Sequence, residues 1–92
     1  MLNLKKFKEK LFLKRIERDA KNTYKILPSS PSDINKYRVA EWTEYGFDTY
    51  GSYDGLTLKD ALDILAKVRT EYINRKIDIR SYNSRVDELK KY

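Results

Sequence analysis

Cysteine and histidine are both missing from this chain of 92 residues. Without cysteine there can be no disulfide, no thiolate nucleophile and no cysteine-bound zinc. Without histidine the commonest general base and the commonest metal ligand are gone, and so is any charge switch near neutral pH. Gly46, Gly51 and Gly55 are the only glycines, and no Gly-Lys-Ser/Thr sequence follows them, so a phosphate-cradling nucleotide loop is excluded. A serine triad lacks its base, and nothing marks a serine–lysine pair. Long apolar runs are also absent. Leu11-Phe12-Leu13 is the longest near the N-terminus, too short for a signal peptide or a membrane span.

One further absence is local. From Val39 to Leu58 there is no lysine or arginine, although the whole chain carries 20 basic residues and a net charge of +6. That stretch contributes −4, through Glu41, Glu44, Asp48 and Asp54, while the first 25 residues contribute +6. The protein is bipolar rather than uniformly basic, which weakens any inference from its pI to nucleic acid. The acidic part is also the aromatic part, with Trp42, Tyr45, Phe47, Tyr50 and Tyr53 interleaved among the carboxylates.

A single domain fits the length. Asn3 can cap a helix from Leu4 to about Asn22, the core of a basic N-terminal segment over residues 1–25. Leu4, Phe7 and Leu11 share one face of it, and Phe12, Leu13, Ile16 and Ala20 lie roughly opposite. Residues 27–35 hold both prolines and read as a linker, with Thr23 to Leu27 a short extended segment before it. Residues 36–82 read as a ββαβ core. Lys36 to Thr43 and Phe47 to Tyr53 are its hairpin strands, turning through Glu44-Tyr45-Gly46. Thr57-Leu58-Lys59-Asp60 is a capping box with Leu56 and Ala61 at the staple positions. The helix it starts is expected to run to about Asn74 and to bury Leu58, Ala61, Leu62, Leu65, Val68, Tyr72 and Ile73. Arg75-Lys76 suits a helix C-terminus, and Ile77 to Tyr82 alternates as a third strand. Residues 84–92 read as a short C-terminal helical tail.

The expected fold is therefore α+β: an N-terminal helix, then β-hairpin, helix and strand, with a three-stranded antiparallel sheet. A right-handed crossover gives strand order 2-1-3. The long helix would cover Val39, Ile77, Ile79 and Phe47. Arg38, Ala40, Trp42, Asp48, Tyr50, Arg80 and Tyr82 would lie on the opposite face. Either the N-terminal helix covers part of that second face, or the face stays open for a partner.

The four carboxylates could hold magnesium or run acid–base chemistry only if they converged. Their places on a strand, a turn and strand ends argue for a solvated acidic rim instead. Hence no enzyme, no cofactor and no metal site is expected. Large rings beside fixed charges suit protein recognition, so Glu41, Trp42, Glu44, Tyr45, Asp48, Tyr50 and Tyr53 are the candidate protein contacts. A folding core explains the same rings equally simply. The alternative is nucleic-acid binding through Lys5, Lys8, Lys14, Arg15 and Arg18 on the first helix, aided by Arg38 and Arg80. A merely solvated basic face is the plainer account of those lysines. Homo-oligomerisation, with a basic helix docked on a neighbour's acidic hairpin, is a third reading.

Tyr37-Arg38-Val39-Ala40-Glu41-Trp42, Gly46-Phe47-Asp48-Thr49-Tyr50 and Leu56-Thr57-Leu58-Lys59-Asp60-Ala61-Leu62 together resemble small accessory proteins of Gram-positive bacteria and their phages. The resemblance implies a host-takeover or anti-defence factor, of the kind exemplified by anti-CRISPR proteins. Such a protein would act in the bacterial cytoplasm by occupying a surface on a host protein or complex. No functional residue carries over from it.

Overall fold

The computed structural model describes residues 4–92, so the expected cap at Asn3 lies outside the described residues. The described residues form an α+β fold in the order α1 (Leu4–Thr23), β1 (Tyr24–Ser30), β2 (Asp33–Thr43), β3 (Gly46–Thr49) and α2 (Leu58–Leu89). The strands make one antiparallel sheet in the order β1-β2-β3.

α1 forms because its sequence is rich in lysine, leucine and arginine and has no glycine or proline. It ends where Thr23 turns its hydroxyl back to the Asp19 carbonyl at 2.7 Å. The next residue already belongs to the sheet. The segment expected to be a linker, residues 27–35, is instead the end of β1, a tight turn and the start of β2. Proline is tolerated there because β1 is an edge strand, where a missing N–H need break no ladder bond. Pro31 follows Ser30, which pairs with Asp33, and so takes the turn position that proline's fixed φ favours.

The second turn is one residue shorter than expected. Glu44 and Tyr45 alone form the loop, Thr43 pairs with Gly46, and Trp42 pairs with Phe47. Thr43 stabilises the loop by donating from Oγ1 to the Gly46 carbonyl at 2.8 Å and accepting from the Tyr45 N–H at 3.2 Å. A one-residue change in register turns every β3 side chain over. Phe47 therefore leaves the core for the face carrying Trp42, and Tyr50 moves the other way, into the core. Past Thr49, Gly51 adopts φ +58° and the chain bulges. It rejoins β2 through Val39 N–H to the Tyr53 carbonyl at 3.0 Å and a two-way bridge between Tyr37 and Leu56.

α2 starts at the expected cap, with Thr57 Oγ1 accepting the Asp60 N–H at 3.2 Å. It does not stop at Asn74. It continues for 32 residues, about 48 Å, through Ile77–Tyr82 and most of the expected tail. No glycine or proline follows Gly55, so nothing local breaks the helix. The cations at Arg75 and Lys76 are too weak a stop signal, at about 0.3–1 kcal/mol, to end it alone. The third strand is supplied by β1 instead, and this changes the order from 2-1-3 to 1-2-3.

Cross-strand partners share a face, so Tyr24, Ile26, Val39, Glu41, Asp48 and Tyr50 look one way. α2 covers that side: Leu65 and Val68 pack with Tyr24 and Val39, and Ile26, Tyr50, Tyr53, Leu56, Ile64 and Tyr72 surround them. Leu58 and Leu62, expected inside, are exposed, because the sheet touches only the flank of α2 through Ala61, Leu65 and Val68. Tyr24 meets Tyr50 and Tyr72 edge-on at 5.3 and 5.9 Å between centroids.

α1 does not lie over the second sheet face. It runs antiparallel to the distal half of α2: Phe12 and Leu13 share a cleft with Arg80 and Ser84, Ile16 lies near Tyr72, and the Arg69 guanidinium reaches the Lys21 carbonyl. Arg69 also donates twice to the Tyr24 carbonyl, at 2.7 and 3.2 Å, clamping the α1–β1 junction to α2. Paired in this way, the two helices project beyond the sheet as an arm. The molecule measures 59 × 33 × 21 Å with a radius of gyration of 17.5 Å. A compact chain of this length would have about 12 Å.

Candidate functional site

The β2–β3 hairpin is positioned by its ladder to β1 and by the core beneath Val39. Its end carries most of the protein-binding candidates. Trp42 lies on the face turned away from α2 and stays 59% exposed. Its ring packs edge-on against Phe47 at 5.1 Å and 71°. Tyr45, at the loop tip, is 93% exposed, and Glu44 beside it is exposed too. Glu41 and Asp48 pair across the strands on the other face. Asp48 Oδ1 accepts the Thr49 N–H at 2.9 Å, which fixes that carboxylate close to the backbone.

Two candidates are drawn away from this end. Tyr50 sits in the core cluster between Tyr24 and Tyr53, stacked on the latter at 6.2 Å, and Tyr53 packs there with it. Phe47 was missed, because a three-residue turn would have pointed it inward. The pairing of Trp42 with a ring five positions on, across a two-residue loop, was the available signal.

Electrostatics tie the hairpin to the helices. Burial pushes the Tyr24 hydroxyl above its ordinary value, Glu41 beside it pushes the same way, and Arg75 of α2 pulls against them. The Arg75 guanidinium is in turn held in its charged form chiefly by Tyr24. Glu41 thus belongs partly to the junction between sheet and arm, while Trp42, Glu44, Tyr45 and Asp48 remain available. Among the described residues, no group of carboxylates converges to hold a metal ion.

The nucleic-acid candidates do not form one surface. Lys5, Lys8, Lys14, Arg15 and Arg18 are exposed along α1, and the last three line a shallow hollow beside Leu11. Arg38 is on the sheet, donating to the Pro28 carbonyl at 3.3 Å and to Thr49 Oγ1 at 3.2 Å. Arg80 lies 3.9 Å over the Phe12 ring, joining the two helices. No helix among the described residues is long and apolar enough to cross a membrane.

Compared with protein-family models, curated proteins and solved structures, the chain matches none at a significant level.

Proposed function

We propose that this protein is a non-enzymatic binding module that engages another protein through the end of its β2–β3 hairpin. The observation that carries this reading is the exposure of Trp42 and Tyr45 at one rigid end, with Phe47 buttressing the Trp42 ring and no cation in the surrounding sequence. A tryptophan left in water by the fold, yet held in one orientation by a neighbouring ring, loses little entropy on binding. Such anchors typically cost 2 kcal/mol or more of affinity when truncated. Glu44 and Asp48 would favour a partner with a basic rim and would repel phosphates. Taken with the resemblance to phage accessory proteins, the function we infer is inhibition or redirection of a host protein in the bacterial cytoplasm.

The test is capture of partners from bacterial lysate by the wild type and by Trp42→Ala combined with Glu44→Lys. Both substitutions are at exposed positions, so circular dichroism should show an unchanged fold while the captured protein is lost. Undiminished capture by the folded variant would refute the assignment. A second reading rests on the exposure of every lysine and arginine of α1. In that case the captured material is nucleic acid, and the logarithm of its affinity falls linearly with that of salt, less steeply after Lys14→Ala or Arg18→Ala.

A further inference from the structure

One stripe runs the length of α2 in steps of three and four residues, interrupted once by Arg75: Ala61, Leu65, Val68 and Tyr72, then Ile79, Tyr82, Val86 and Leu89. Its first half is buried against the sheet. Beyond Arg75 the stripe continues largely bare: Ile79, at the edge of the groove with α1, is 54% exposed, Tyr82 70% and Leu89 51%, with Val86 half-buried. A sustained three–four repeat is the pattern of a helix that expects a partner along one seam.

α1 adds a second strip to the same side. Arg15 and Asp19 of α1 and Ile79 and Asn83 of α2 border one open groove between the helices, which fixes the flank each helix turns to that side. Leu11 adjoins Arg15, and Phe7 and Leu4 precede it at four and three residues along one strip of α1, all exposed. The two strips flank this groove, with Arg15, Asp19, Lys76, Asn83 and Asp87 between them, and the α2 strip, about three turns long, continues the buried face of α2.

Area and charge point to one occupant. The chain exposes 7583 Å². A compact monomer of 11.0 kDa would expose about 5,600 Å². The excess of roughly 2,000 Å² exceeds the ~800 Å² that each partner contributes to a standard interface. β1 leaves the α1 junction and β2 returns past it, because Glu41 pairs with Tyr24. The acidic hairpin end therefore projects toward the arm, with Glu41 and Asp48 on the face that α2 covers. Residues 4–23 hold eight basic and three acidic side chains, whereas residues 39–58 hold four acidic and no basic ones. Parallel arms would set the two basic helices side by side. Antiparallel arms set each basic tip against the other copy's acidic hairpin.

We propose that two copies of this chain associate antiparallel through the helical arms, forming a four-helix bundle in which the basic tip of each arm meets Glu41, Glu44 and Asp48 of the other. The second copy covers the seam that the sheet leaves bare. Trp42 and Phe47 point away from this contact, so each copy keeps its Trp42 face bare in the dimer, while Glu44 and Asp48 serve the contact between copies.

Sedimentation equilibrium of the full chain, up to roughly 100 µM, should show a dimer, with the dissociation constant rising severalfold in molar salt. Ile79→Glu, at an exposed helix position, should keep its helical circular dichroism and raise the dissociation constant at least tenfold. Spin labels on Lys90→Cys, in a chain with no other cysteine, should lie far apart in the dimer, near opposite ends of the bundle. Trp42→Ala alone, without Glu44→Lys, should dimerise as the wild type does and still lose the captured partner, which separates this test from that of partner capture. A monomer throughout, a dimer indifferent to Ile79→Glu, or closely spaced labels would overturn the proposal. So would a monomer that binds anionic lipid vesicles through this face.

Discussion

Replacing Val68 or Ile79 by alanine compares two β-branched apolar residues on one stripe of one helix, one methylene apart in size and set against different tertiary surroundings. Val68 is 3% exposed in contact with Tyr24, Val39 and Leu65, and Ile79 is 54% exposed on the arm. Val68→Ala removes two buried methyl groups, about 1.6 kcal/mol at ~0.8 kcal/mol each, and leaves a small cavity. The expected loss is about 2 kcal/mol, against a total stability of about 5–14 kcal/mol for a domain of this length. Ile79→Ala removes side chain that is largely in water, and alanine is the better helix former. Its effect in the monomer should stay within about 0.5 kcal/mol. Urea unfolding followed by circular dichroism near 1 µM would measure both losses, and in thermal melts the Tm should fall by about 8–16 °C for Val68→Ala and scarcely for Ile79→Ala. If Ile79 were a core strand residue under a helix, the order would reverse, with a loss of about 2–5 kcal/mol at that site. A larger cost for Ile79→Ala than for Val68→Ala at low concentration would refute the continuous helix. At high concentration the two should converge, because dimerisation adds stability that depends on Ile79.

Gly46 holds φ +103°, and an added Cβ there would meet nothing within 4 Å. Gly46→Ala should therefore cost only backbone strain, about 1–2 kcal/mol by chemical denaturation, with the hairpin retained. Asp54 is held below the ordinary carboxylate value, first by the Ser29 hydroxyl and then by the Gly55 N–H at 2.8 Å, with Arg38 adding attraction. A depressed folded value means that its contribution is complete above about pH 4 and is lost as pH falls through that value. The acid-unfolding curve of Asp54→Asn should accordingly be shallower than that of the wild type below about pH 4, and parallel curves would show that the contact adds nothing.

The capping box at Thr57 and the absence of breakers across residues 4–23 were legible because they are local, each depending on residues within one turn. The aromatic hairpin was legible for the same reason, but its faces were not. A loop of two residues or three satisfies similar turn chemistry, and the difference decides whether Phe47 or Tyr50 is inside. Ile77–Tyr82 was misread because six residues of alternation fit a strand and a helix equally. The better signal was longer: no glycine or proline after Gly55, and a three–four repeat reaching Leu89. The proline-bearing segment was misread because proline reports only that its own N–H is missing. Whether that matters depends on a neighbour, and an edge strand has a free side.

By itself the sequence settled what this protein lacks and how its charge is sorted along the chain. It also placed the start of α2, because chemistry carried by residue type and its nearest neighbours needs no fold to be read. Only the tertiary structure decided which residues share a surface. The same stripe of α2 is core at Val68 and bare at Ile79, because the sheet ends between them and nothing in the local sequence records where a sheet ends.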